Sequence, residues 1–100
     1  MDKKYSTRQA LKVVQTIIKD GGGLVLSGHF KKRMLERGVD VRDVLHVIKT
    51  GRIQNEPEPH IKTDKWIYTI EGLTLDGVKL KVPVSVYEDE QKVIIVTVMN

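Results

Sequence analysis

Val78-Lys79-Leu80-Lys81-Val82-Pro83-Val84-Ser85-Val86-Tyr87-Glu88 repeats with a period of two. In a strand that period puts Leu80, Val82, Val84 and Val86 on one face and Lys79, Lys81, Pro83, Ser85 and Tyr87 on the other. Lys65 to Glu71 does the same, with Trp66, Tyr68 and Ile70 opposite Lys65, Ile67 and Thr69. Such alternation predicts strands with one face in the core and the other toward solvent or a cleft. Val93 to Met99 is apolar at nearly every position, which predicts a strand covered on both sides or lying centrally. Asp76-Gly77 and Glu88-Asp89-Glu90 supply the turns between them. Pro83 has no amide donor, which predicts an edge or a bulge at that point.

Toward the N-terminus the period changes near residue 52. Arg52 to Glu56 reads as a short strand, and Glu56-Pro57-Glu58-Pro59 as an extended loop. Before it the apolar spacing is helical. Ser6 and Gln9 can form a capping box, followed by the stripe Ala10, Leu11, Val14, Ile17 and Ile18. Gly21-Gly22-Gly23 stops that helix, and Leu24-Val25-Leu26 reads as an apolar link or strand fragment. Ser27 can cap a second helix over 28–37, ended by Gly38. Asp40, helped by Asp43, can cap a third over 41–50, with Val41, Val44, Leu45 and Ile48 inward and Gly51 closing it. The expected class is α+β: N-terminal helices, 1–51, packed on one face of a small antiparallel sheet, 52–100, in a single domain.

Composition narrows the functional classes. The chain has 100 residues, 40% hydrophobic and 30% charged, as an ordinary globular domain does. It has no cysteine, which excludes disulfides, thiol catalysis and cysteine-bound zinc. No apolar run approaches the ~20 residues of a membrane span, and the polar start lacks a secretory pattern, so a cytoplasmic protein is expected. Residues 1–54 carry 12 Lys and Arg against 5 Asp and Glu, a net +7; residues 55–100 carry 5 against 8, a net −3. A basic half facing an acidic one fits a polyanion or acidic partner, and equally a lysine-rich solvated surface.

His29-Phe30-Lys31-Lys32-Arg33-Met34-Leu35-Glu36-Arg37 concentrates the chemistry. On a helix, His29, Arg33 and Arg37 share an arc of about 80°, with Phe30 and Met34 beside it at the angle facing a core. Three cations at that spacing repel by a few tenths of a kcal/mol per pair, partly offset if Glu36 pairs with Arg33. Guanidiniums bind phosphate bidentately, and a histidine can move a proton at neutral pH. RNA cleavage needs both; a solvated basic helix fits the same spacing. Lys79 and Lys81 point the same way from their strand and could grip a nucleic-acid backbone, or simply solvate an outer face. Tyr68, Trp66 and Tyr87 could stack on bases, although Trp66 and Tyr68 also read as core. Thr97 is polar within an apolar strand, where a backbone carbonyl usually satisfies it. No metal-ligand spacing, phosphate loop or paired-carboxylate pattern is found, so no cofactor or metal is expected.

His29-x-x-x-Arg33-Met34-x-Glu36-Arg37-Gly38-Val39, then Asp43-Val44, Gly51 and the ending Val93-Ile94-Ile95-Val96-Thr97-Val98, resembles the signature of the domain of unknown function 4258. The resemblance covers residues 28–98. That family in turn resembles the RelE-like and barnase–colicin-like small ribonucleases, many of them toxins of toxin–antitoxin pairs, with helices on one face of an antiparallel sheet and RNA on the other. The resemblance implies a metal-independent endoribonuclease with RNA as substrate and an acidic antitoxin protein as partner. It implies His29, Arg33, Arg37 and Thr97 as the catalytic set, with His29 moving the proton, the arginines holding phosphate and Thr97 positioning. Lys79 and Lys81, with Lys32 and Tyr68, would contact RNA. A non-catalytic RNA-binding or protein-interaction module, docking a strand at an open sheet edge, is the alternative.

Overall fold

The structure, a computed structural model, describes residues 3–98. Helix α1 spans Thr7–Lys19, α2 Gly28–Arg37 and α3 Val41–Thr50. Each begins where its cap predicts. Ser6 accepts from the Gln9 amide while the Gln9 side chain accepts from the Ser6 amide, so two amides free at a helix start are satisfied. Asp40 and Asp43 make the same box for α3, and the Asp43 carboxylate also accepts from the Leu75 amide at 3.2 Å, tying α3 to a strand turn. The Asp40 carboxyl is held below the usual carboxylate range, chiefly by the Asp43 amide it accepts from, with Arg42 adding to the effect.

Strands β1 (Gly23–Leu26), β2 (Arg52–Ile53), β4 (Trp66–Leu73), β5 (Lys79–Tyr87) and β6 (Lys92–Ile95) form one sheet in the order β1-β6-β5-β4-β2. β3, Glu58–Pro59, pairs with β4, so the proline-rich loop is extended as predicted and adds one short pairing. The helices pack against the sheet, and the class is α+β. The sheet is mixed rather than purely antiparallel, because the link Leu24-Val25-Leu26 becomes an edge strand running parallel to β6. β6 is thus an interior strand between β1 and β5, with Val93 and Ile95 buried in the core and Lys92 and Ile94 only half-buried on the other face. The strand expected over 93–99 stops at Ile95, and Met99 lies outside the described residues.

The core joins Ala10, Val14 and Ile17 of α1 with Val44, Val47 and Ile48 of α3 and with Tyr68, Ile70, Val82, Val84, Val93 and Ile95 of the sheet. Each larger aliphatic side chain so buried contributes about 1.5–3 kcal/mol relative to exposure. Where α3 ends, the chain passes β4 closely enough to leave no room for a side chain at residue 51. A Cβ on Gly51 would lie 2.5 Å from the Val47 carbonyl oxygen and 2.6 Å from that of Glu71. Gly51 is extended, at φ −82°, so space demands glycine here and torsion does not. Gly38, at φ 65°, is the left-handed stop the sequence anticipated.

Two expectations about β5 change. Pro83 is neither at an edge nor at a bulge; it sits in an interior strand between β4 and β6. The second face of β5 is not open along its length either, since Pro83 and Ser85 are buried and the Ser85 hydroxyl donates to the Trp66 carbonyl. Only the strand's ends, at Lys79, Lys81 and Tyr87, keep access to solvent. Among the described residues no helix is long and apolar enough to cross a membrane.

Candidate functional site

α2 projects the basic row. Its one fully buried side chain is Phe30, with Met34 packed partly beside it, as the helical spacing required. His29 is exposed, and its side chain makes no hydrogen bond or ion pair among the described residues. Arg33 follows one turn later, its side chain 34% exposed, with Nη1 3.4 Å from Glu36 Oε2. That pair is largely solvated and contributes at most a few tenths of a kcal/mol. Arg37 and Lys32 are exposed on the same helix.

At the other side of the site, the end of β6 is held by an irregular ladder. In register with β5, Val96 stands opposite Pro83, and the Val96 amide donates to the Pro83 carbonyl at 2.9 Å. An ordinary residue at 83 would return a bond to the Val96 carbonyl. Proline cannot, and the Ser27 hydroxyl donates to that carbonyl at 3.1 Å instead. The same oxygen of Ser27 accepts from the Phe30 amide at 3.0 Å, capping α2. One hydroxyl thus joins the start of α2 to the residue beside Thr97. This is also how an interior strand tolerates proline: a side chain replaces the missing donor.

Thr97 is half-buried, and its Oγ1 is buried with no hydrogen-bond partner. Arg33 Nε is in the same condition, and these two are the only such side-chain atoms among the described residues. A buried polar group left unpaired costs about 1–3 kcal/mol, more when charged. Both orphans come from the four residues singled out in the sequence, and a guanidinium N–H and a hydroxyl are donors suited to a phosphate oxygen.

Other expectations fare differently. Lys79 and Lys81 line a shallow cleft with Gln54, Glu71, Leu73 and Leu80. The β5–β6 register sets that cleft toward the end of the sheet where Thr97 lies, but none of the four clefts described is lined by His29, Arg33, Arg37 or Thr97. His29, Lys32 and Arg37 are exposed, whereas Arg33 between them is half-buried with its Nε enclosed. Tyr68 cannot contact RNA by stacking: it is 1% exposed in the core, and its hydroxyl accepts from the Tyr5 amide at 2.8 Å. No group of three His, Asp or Glu side chains able to share a metal ion occurs among the described residues. Ser27 as a tether was missed, because nothing in one sequence links a helix cap to a proline 56 positions later.

Residues 26–100 match the family model of a domain of unknown function (DUF4258). No curated protein matches the chain, and no solved structure does.

Proposed function

The chain belongs to the DUF4258 family, and we propose that it is a small endoribonuclease of the RelE-like kind, the toxin of a bacterial toxin–antitoxin pair acting in the cytoplasm. Cleavage proceeds by attack of the RNA 2′-oxygen on the adjacent phosphorus and departure of the 5′-oxygen. The products are a 2′,3′-cyclic phosphate and a 5′-hydroxyl. The nucleophile belongs to the substrate, so the step as written uses no metal-bound water. His29 moves a proton to or from a reacting oxygen. Arg33 and Arg37 hold the phosphate and balance the charge that develops on it, and Thr97 bonds one of its oxygens. Lys32 on α2, with Lys79 and Lys81 on β5, extends the positive surface along the strand of RNA. The basic half of the chain suits an acidic antitoxin.

The observation that supports this reading is the coincidence of the two orphaned atoms, Arg33 Nε and Thr97 Oγ1, with the site chosen from sequence. Purified protein in a chelator should cut RNA, leave cyclic phosphate ends and spare the 2′-deoxy analogue. His29→Ala or Arg33→Ala should lower the rate at least about a hundredfold, the usual scale for losing an acid–base or charge-stabilising group. Wild-type rates in both variants would refute the assignment. A second reading, RNA binding without cleavage, is favoured by one fact: His29, Lys32 and Arg37 are exposed on one helix, as a surface that grips a backbone would be. Binding that falls steeply with salt while RNA stays intact would select it.

A further inference from the structure

We propose that Ser27 is a positioning residue, whose hydroxyl holds His29 and Arg33 at a set offset from Thr97 by bonding the Val96 carbonyl. This rests on the ribonuclease reading for its catalytic consequence, but not for its geometry.

Helix capping alone does not explain what Ser27 does. A cap needs an acceptor for an amide at the helix start, and the Ser27 oxygen fills that need at Phe30. Its proton is free for a second use and goes to Val96 on another element, 69 residues away in sequence. The acceptor is available because of Pro83. Val96 and Pro83 face each other at a position where both bonds of the pair would normally form, and only the one donated by Val96 exists. A proline in an interior strand is otherwise a liability, so its presence creates the carbonyl that the tether uses.

The consequence for the site follows from chain connectivity. His29 is two residues after Ser27, Arg33 lies one further turn along, and Thr97 directly follows Val96. The bond therefore joins the two halves of the candidate site at their shared root. α2 packs on the core through one buried side chain, Phe30, with Met34 partly covered. The Ser27 bond fixes the first turn of α2 to the end of β6, and so limits how far the helix can swing about Phe30. Small misplacements of reacting groups cost large rate factors, so the tether bears on turnover more than on RNA affinity.

Three substitutions separate capping from tethering. Ser27→Thr keeps both bonds. Ser27→Asp keeps the cap but has no proton for the carbonyl. Ser27→Ala loses both. Amide residual dipolar couplings of residues 28–37, fitted to the alignment of the sheet, report the direction of α2. They should fit the sheet in wild type and Ser27→Thr, and depart from it in Ser27→Asp. With RNA, kcat should fall about tenfold or more in Ser27→Ala, with KM within about threefold, and Ser27→Thr should restore it. Unchanged couplings in Ser27→Asp overturn the tether. An unchanged kcat after α2 has moved overturns its positioning role. If wild-type protein cuts no RNA, the ribonuclease reading fails, and the couplings still decide the tether.

Discussion

Thr97→Val removes one buried oxygen and keeps the shape of the side chain. Both residues are β-branched, restrict χ1 alike and suit extended backbone, so little else changes. The Thr97 hydroxyl has no hydrogen-bond partner among the described residues. Its burial therefore costs about 1–3 kcal/mol that valine does not incur, and the lower end applies because the residue is only half-buried. The variant should be more stable than wild type by about 1 kcal/mol. For a chain of 100 residues that corresponds to about 4–8 °C in Tm. Urea unfolding should give a higher midpoint with an unchanged slope, since the surface exposed on unfolding is the same. RNA cleavage should fall at least about tenfold, as expected on losing one donor to phosphate. A gain in stability paired with a loss in activity marks a group kept for a ligand. A variant less stable than wild type by 1 kcal/mol or more would show that the hydroxyl is satisfied in the free protein, and the argument for Thr97 as a donor to phosphate would fail.

Other substitutions test the scaffold. Gly51→Ala places a methyl 2.5 Å from the Val47 oxygen and should cost about 1–3 kcal/mol or more, read as a lower urea midpoint; a neutral effect would mean that α3 can move off β4. Phe30→Ala empties the one fully buried position of α2 and should cost about 3–5 kcal/mol, with amide exchange accelerated in 28–37. Asp40 has a folded pKa below its ordinary 3.8, so the folded state binds fewer protons in that range. Its stabilising effect is present above the ordinary value and is lost as pH falls through the folded one. Asp40→Asn still caps α3 and should leave stability near neutral pH little changed, while flattening the acid limb of the stability curve. An acid limb identical to wild type would remove Asp40 from the account.

Local signals were legible without coordinates. Ser6, Ser27 and Asp40 mark three helix starts because a capping side chain acts within three residues of itself. The alternation of Val78–Glu88 and Lys65–Glu71 marks β4 and β5 because side-chain direction in a strand depends only on position. The row His29, Arg33, Arg37 is likewise a property of one helix. Tyr68 carried two readings, core and base stacking, for the converse reason: an aromatic two residues from Trp66 reads the same whether its ring meets a base or the core. Here the Tyr5 amide and the packed sheet decide.

The chain alone determined the three helices, the two long strands, the basic row on α2 and the α+β class, since each follows from periodicity and capping over a few residues. Pairing across long separations was settled only in three dimensions. β1 became a parallel neighbour of β6, Gly51 met Glu71, and Pro83 stood opposite Val96 and freed its carbonyl for Ser27. Such contacts depend on which backbone groups are left unpaired once the whole sheet has formed, and that sum over distant strands is written in no local stretch of sequence.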